Sequence, residues 1–372
     1  MENEIEKTEI IEKAGGLLPH TEDERDYEYH QLGGIFGGYT PKNEVLELPE
    51  YSTKNQGRFN DCTFNALAVQ REITEKVPLS VKSVVCYARK QGYLTGDGYS
   101  DLRSGQKTAL EFGLAEESLL PDVKSDWDSY SAETQLTDAI RANANTHRTK
   151  AFFKVTTKDE FLKALDDGYA IHCGMDWFTG YNMGGGLTAP WILPWAKGIG
   201  VGGHAICCVG YDLKKQLLKF KNSYGPDWGD RGHFYVRFQD WFGSNWPGYV
   251  GVDMDEDTFA QFLKSYEGKH VKSASSPVIY LIENGKKRAF PNEATFYAFG
   301  GVLGEKQTWQ LVSQSLLDQT PNGEVMDIAQ SPYWPALKSS WHVIQWLQFP
   351  GNFKLISDKI KAFGNGSGEE QS

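Results

Sequence analysis

A glutamine six residues ahead of a cysteine that opens an apolar-periodic run constrains this chain more than any other feature. The stretch is Gln56-Gly57-Arg58-Phe59-Asn60-Asp61-Cys62-Thr63-Phe64-Asn65-Ala66-Leu67-Ala68. Asn60 and Asp61 are good N-cap residues, and Ala66, Val69 and Ile73 then recur at helical spacing. Cys62 is therefore predicted in the first turn of a helix, where unpaired N–H groups and the helix dipole favour a thiolate. A thiolate is a nucleophile, but catalysis also needs a base, a group to orient the base and donors for an oxyanion.

Those groups occur far downstream. Gly202-Gly203-His204-Ala205-Ile206 supplies an imidazole, and Phe220-Lys221-Asn222-Ser223-Tyr224-Gly225-Pro226-Asp227-Trp228-Gly229 supplies an asparagine backed by aromatics. Taken singly, each has an ordinary explanation: a structural cysteine, a packed histidine, a turn asparagine. Jointly and in this order they resemble the papain-like (C1-type) cysteine peptidases, of the prokaryotic or viral type without a long prodomain. The resemblance implies an α+β fold of two lobes, a helical one carrying Cys62 and an antiparallel β one carrying His204, with the active-site cleft between. It also implies a thiolate–imidazolium pair of Cys62 and His204, with Asn222 orienting the ring. Gln56 with the Cys62 backbone N–H would form the oxyanion hole, and Trp228 and Tyr224 would shield the His204–Asn222 contact. Gly98 and Gly203 are the candidate substrate-binding residues, Gly98 being either the family's backbone-pairing glycine or simply a turn glycine with positive φ, and the small Gly202, Gly203 and Ala205 suggest a roomy, uncharged pocket. No cofactor or metal is called for.

Three residues depart from the family pattern. Thr63 follows the nucleophile where tryptophan is usual, and Tyr224 replaces the tryptophan of the asparagine block. Asp61 precedes Cys62, and its charge would oppose a thiolate unless the carboxylate is engaged as a helix cap.

Composition narrows the rest. The net charge of −11 has no basic block to offset it, which argues against a nucleic-acid partner. No apolar run is long enough to span a membrane. The acidic start, MENEIEKTEIIEKAGG, lacks the pattern of a signal peptide, so the reading is a soluble protein, cytoplasmic or packaged in a particle. Five cysteines, none flanking Cys62, suit a thiol-only protein.

At 372 residues the chain is expected to hold one catalytic unit and an addition. The expected plan is an N-terminal arm at 1–47, a papain-like domain at 48–264, a linker at 265–276, a small α+β module at 277–363 and a disordered tail at 364–372. The arm is read as an ordered surface segment without a regulatory role. Helices are predicted at Leu79–Gln91, Leu102–Phe112 and Thr157–Asp167, and strands at Tyr169–Met175, His204–Tyr211, Leu217–Lys221 and His233–Phe238. Gly184–Trp195 is read as a loop whose Trp191 and Trp195 either wall the site or pack on the sheet. In the module, Asn284-Gly285 signals a hairpin. Trp309, Trp334, Trp341 and Trp346 are core residues or a surface for a protein or glycan partner.

The function expected is a cysteine-type endopeptidase acting on polypeptides. The rival is a non-enzymatic or vestigial papain-like structural or binding protein, such as a phage virion component. Transfer of the acyl group to an amine is a second enzymatic alternative.

Overall fold

The computed structural model describes residues 16–19, 27–29, 39–181, 189–194, 199–243, 248–253, 263–273, 276–303, 308–312, 317 and 320–332. The first fifteen residues, Trp195, Trp334, Trp341, Trp346 and the tail at 364–372 lie outside these. The chain divides into two units, Met1–Asp253 and Met254–Ser372.

In the first unit the arm supplies two short strands, β1 (Tyr27–Glu28) and β2 (Val45–Glu47). The helical half follows: α1 (Cys62–Glu75), α2 (Val81–Gln91), α3 (Leu102–Glu111) and α4 (Asp138–Thr146). Ser80 and Asp101 cap α2 and α3 through their side chains. Phe64, Leu67 and Ala68 of α1 pack with Leu79, Val81, Val84, Val85 and Ala88 from α2 and its lead-in. The β half comprises β3 (Ala151–Val155), α5 (Lys158–Asp166), β4 (Ile171–Phe178), β5 (Gly200–Asp212), β6 (Leu217–Lys221), β7 (His233–Arg237) and β8 (Gly248–Val252). Thr157 and Glu160 form a reciprocal capping box at the start of α5.

The strands form one sheet in the order β1-β3-β8-β4-β5-β6-β7, with β2 also paired to β5. Pairing is antiparallel except where β1 runs parallel to β3. Helices on one side and an antiparallel sheet on the other give the expected two-lobed α+β arrangement. The arm does more than lie on the surface. Besides its two strands, Leu17 bridges Gly203 on one side and Ser100 on the other, and is buried.

The second unit has a four-stranded sheet ordered β11-β10-β9-β12. Its strands are β9 (His270–Ser273), β10 (Ile279–Glu283), β11 (Lys286–Ala289) and β12 (Trp309–Val312). Asn284 and Gly285 both take positive φ at the β10–β11 turn, as a tight hairpin requires. The stretch 265–276, expected as a linker, contains β9, which pairs with both β10 and β12. A helix, α6 (Glu293–Ala298), adds Phe296 to a core with Leu281, Phe290 and Met326, against which Trp309 packs. No helix among the described residues is long and apolar enough to cross a membrane.

Candidate active site

The first turn of α1 and the strand β5 bring the sequence-identified residues together. Cys62 opens α1 and is fully buried, and the Ala205 N–H, next to His204, donates to its Sγ at 3.5 Å. His204 Nε2 lies 2.8 Å from Asn222 Oδ1, which also accepts from the Ser223 N–H at 2.8 Å. With Asn222 Oδ1 as acceptor, Nε2 carries the proton, and Nδ1 is buried without a partner among the described residues. Gln56 is held from two directions. Its backbone N–H donates to the Ser223 carbonyl at 2.8 Å, and its Oε1 accepts from Ser223 Oγ at 2.6 Å. The amide orientation is thereby set, and Nε2 donates one hydrogen to the Phe59 carbonyl at 2.8 Å, leaving the other.

Burial governs the protonation of the pair. Desolvation pushes the Cys62 thiol up to about 12, against the opposing Ala205 N–H, and pulls His204 down to about 4. Both directions favour the neutral thiol and imidazole. Burial thus works against the thiolate–imidazolium pair that the family resemblance implies.

The arm contributes to that closure. Leu17 N–H donates to the Gly203 carbonyl at 3.1 Å, Leu18 N–H to the Ser100 carbonyl at 2.9 Å, and Ser100 N–H to the Gly16 carbonyl at 3.1 Å. Residues 16–18 thus run between Ser100 and the residue preceding His204. A side chain at Gly16 would collide with the Asn60 carbonyl, since its Cβ would fall 2.1 Å from that oxygen. Gly203 pairs its backbone with Leu17 of this same chain. Gly98 does not among the described contacts. At φ +122° it packs on the turn before Cys62, where a Cβ would lie 2.7 Å from the Asp61 nitrogen. Ser100 is the residue that pairs with the segment.

The three departures each have a physical account. Thr63 Oγ1 donates to the Ser100 carbonyl at 3.2 Å, steadying the strand-like edge that holds the arm. Asp61 occupies the N-cap position but makes no capping bond; its carboxylate instead meets Lys124 Nζ at 2.9 Å and Asn65 Nδ2 at 2.8 Å. Tyr224 packs on His204 with ring centroids 5.0 Å apart.

Trp177 on β4 was absent from the sequence reading. Its centroid is 4.7 Å from that of His204, nearer than Tyr224, and it also packs against Tyr224 and Trp228. The signal was available: Trp177 is opposite Gly202, and a glycine-rich partner strand leaves room for a large ring. Among the described residues no cluster of histidine, cysteine and acidic side chains could hold a metal. All five cysteines are free and buried.

This fold, with Cys62 at a helix start and His204 on an antiparallel sheet, is the papain-like fold. In structure the chain is similar to xylellain, a cysteine protease from Xylella fastidiosa, at 21% identity and a TM-score of 0.53, covering 66% of this chain and 97% of that one. A procathepsin B from Trypanosoma congolense matches at 14% identity and a TM-score of 0.47, covering 66% of this chain and 87% of that one. In sequence it is 25% identical over 226 residues to an uncharacterized peptidase C1-like protein of Acanthamoeba polyphaga mimivirus, covering 55% of this chain and 70% of the relative. No protein-family model matches the chain.

Proposed function

We propose that the first unit is a cysteine-type endopeptidase whose nucleophile is Cys62. The observation that carries this reading is the place of His204: Nε2 is engaged by Asn222, Nδ1 is buried without a partner among the described residues, and the next residue, Ala205, donates its N–H to Cys62 Sγ. Buried His172 also leaves one nitrogen without a described partner, so the weight lies in this position beside the sulfur. The peptidase C1-like relative and the fold shared with a cysteine protease support the same conclusion.

In this mechanism Cys62 Sγ attacks the peptide carbonyl carbon as its proton passes to His204 Nδ1. The tetrahedral oxyanion takes the remaining Gln56 Nε2 hydrogen and the Cys62 N–H. The C–N bond then breaks, His204 returns the proton to the leaving amine, and a thioester remains. Water, deprotonated by His204, hydrolyses the thioester and regenerates the thiol. Asn222 acts by holding the ring. The resting form is latent, because residues 16–18 lie against the backbone edges an extended substrate would use.

The test is labelling with an epoxide-type thiol reagent, with the adduct located by mass spectrometry. Wild type should be modified at Cys62 in preference to the other four cysteines, and His204→Ala should slow this by roughly 10²–10⁴-fold. Equal labelling of the two proteins would remove the catalytic pair. Peptide hydrolysis that survives Cys62→Ala would remove the nucleophile.

A further inference from the structure

The residue immediately before the nucleophile is a fully buried acid, and only one described cation reaches it. Asp61 Oδ2 is 2.9 Å from Lys124 Nζ, in a loop far along the chain, and Oδ1 accepts from Asn65 Nδ2. Lys124 is itself held in place. Its ammonium donates to Tyr130 Oη at 2.6 Å, lies 3.3 Å from Asp122 Oδ1, and sits 4.2 Å from the Tyr130 ring centroid and 5.6 Å from that of Phe59. Tyr130 Oη in turn donates to Asp122. Phe59, Asn65, Asp122 and Tyr130 thus fix one cation against one carboxylate, a single residue away from the sulfur.

We propose that Lys124 is a positioning residue acting through Asp61: by neutralising that buried carboxylate it keeps a negative charge from standing unopposed beside the Cys62 sulfur. The proposal deepens the peptidase reading and rests on it. Its physical basis is Coulombic. Two like charges on adjacent residues, in surroundings this dry, repel strongly enough to move a thiol's titration by a pH unit or more. Asp61 is also the one charged residue among the three departures from the family pattern, so a compensating partner is called for here in particular. The other charged or titratable groups around the pair are few. Tyr224 lies within electrostatic reach of the sulfur, His204 precedes the Ala205 N–H that donates to it, Asp97 accepts from Asn60 at 2.8 Å, and Arg58 and Lys82 lie over the outer rings of Phe59 and Tyr130.

The experiment is the rate of Cys62 alkylation by iodoacetamide against pH, read by peptide mass spectrometry on the full chain. Lys124→Met should move the midpoint up by about one pH unit, and Asp61→Asn should move it down by up to about one. Asp61→Asn/Lys124→Met should return it close to wild type, which loss of packing alone would not do. A folded Lys124→Met protein with the wild-type midpoint overturns the proposal, as does a double variant that keeps the Lys124→Met midpoint. If circular dichroism shows Lys124→Met unfolded, Asp61→Asn decides: an acid shift supports the proposal and an unmoved midpoint overturns it. Failure of the peptidase reading looks different, since wild-type alkylation would then be indifferent to His204→Ala.

Discussion

Two of the site residues are each preceded in the chain by a buried charge, and the two charges are handled differently. Asp61, before Cys62, meets Lys124 from a loop of the same helical half. Lys221, before Asn222, meets Glu50 at 2.7 Å, and Glu50 also receives His233 Nε2 at 2.6 Å. In the first case the charge faces the nucleophile, so its neutralisation bears on reactivity. In the second the carboxylate comes from the segment leading into the site, and it fastens that segment to β6 and β7. The difference is between a charge pair that sets the electrostatics of an atom and one that sets the position of a backbone.

The largest effect should come from breaking the second pair. Glu50→Ala leaves Lys221 buried without its carboxylate, which typically costs about 3–5 kcal/mol. Urea unfolding should show a loss of that order, while the midpoint of Cys62 alkylation stays where it was. A shift in that midpoint would show that both pairs act on the sulfur and would dissolve the distinction. The pair also predicts an acid dependence. Burial works against the Glu50 anion, but His233 and Lys221 outweigh it and hold the carboxyl at about 2, below its ordinary 4.5. Its contribution is therefore fully present above about pH 4.5 and is lost as the pH falls through 2. Glu50→Gln should flatten the stability profile across that window.

Next in size is the effect of the arm. Leu17→Asp places a charge at a buried position between Ser100 and Gly203, and should drive residues 16–18 out of the cleft. Water then returns to the pair, which lowers the Cys62 thiol from its raised value and lifts His204 from its depressed one. Alkylation should accelerate about tenfold, with its midpoint moved to lower pH. An unchanged rate would mean that the arm does not limit access. The closure of the site would then belong to the lobes themselves.

The two charge pairs also mark what sequence could and could not disclose. Local chemistry was legible. Leu217–Lys221 is a strand, Thr157 and Glu160 cap a helix, and Asn284-Gly285 turns a hairpin. The residues around Cys62, His204 and Asn222 could be picked out because each sits in a short recognisable block. Partners set by tertiary structure were not legible. Lys124 lies in a loop with no periodicity, and nothing near it in sequence points to Asp61. Strand β8, Gly248–Val252, is not among the predicted strands, and glycine within a strand weakens the local signal. In the fold Gly248 has Ile171 and Phe161 so close that a Cβ would stand 2.5 Å from one of them. The arm was read as a surface feature because its pairing partners, Ser100 and Gly203, are distant from it and from each other.

The smallest effect is the most specific probe of how the arm is held. Thr63 follows the nucleophile, and its hydroxyl donates to the Ser100 carbonyl, the same oxygen that accepts from Leu18 N–H. Thr63→Val keeps the shape and removes this one donor, a change worth on the order of 1 kcal/mol. If Thr63 steadies the edge that grips the arm, the open form should become a few-fold more populated and Cys62 alkylation should quicken by that factor. The urea stability conferred by Glu50 should not move. A slower reaction instead would place the hydroxyl with the sulfur and not with the arm, moving Thr63 to the same side of the comparison as Asp61.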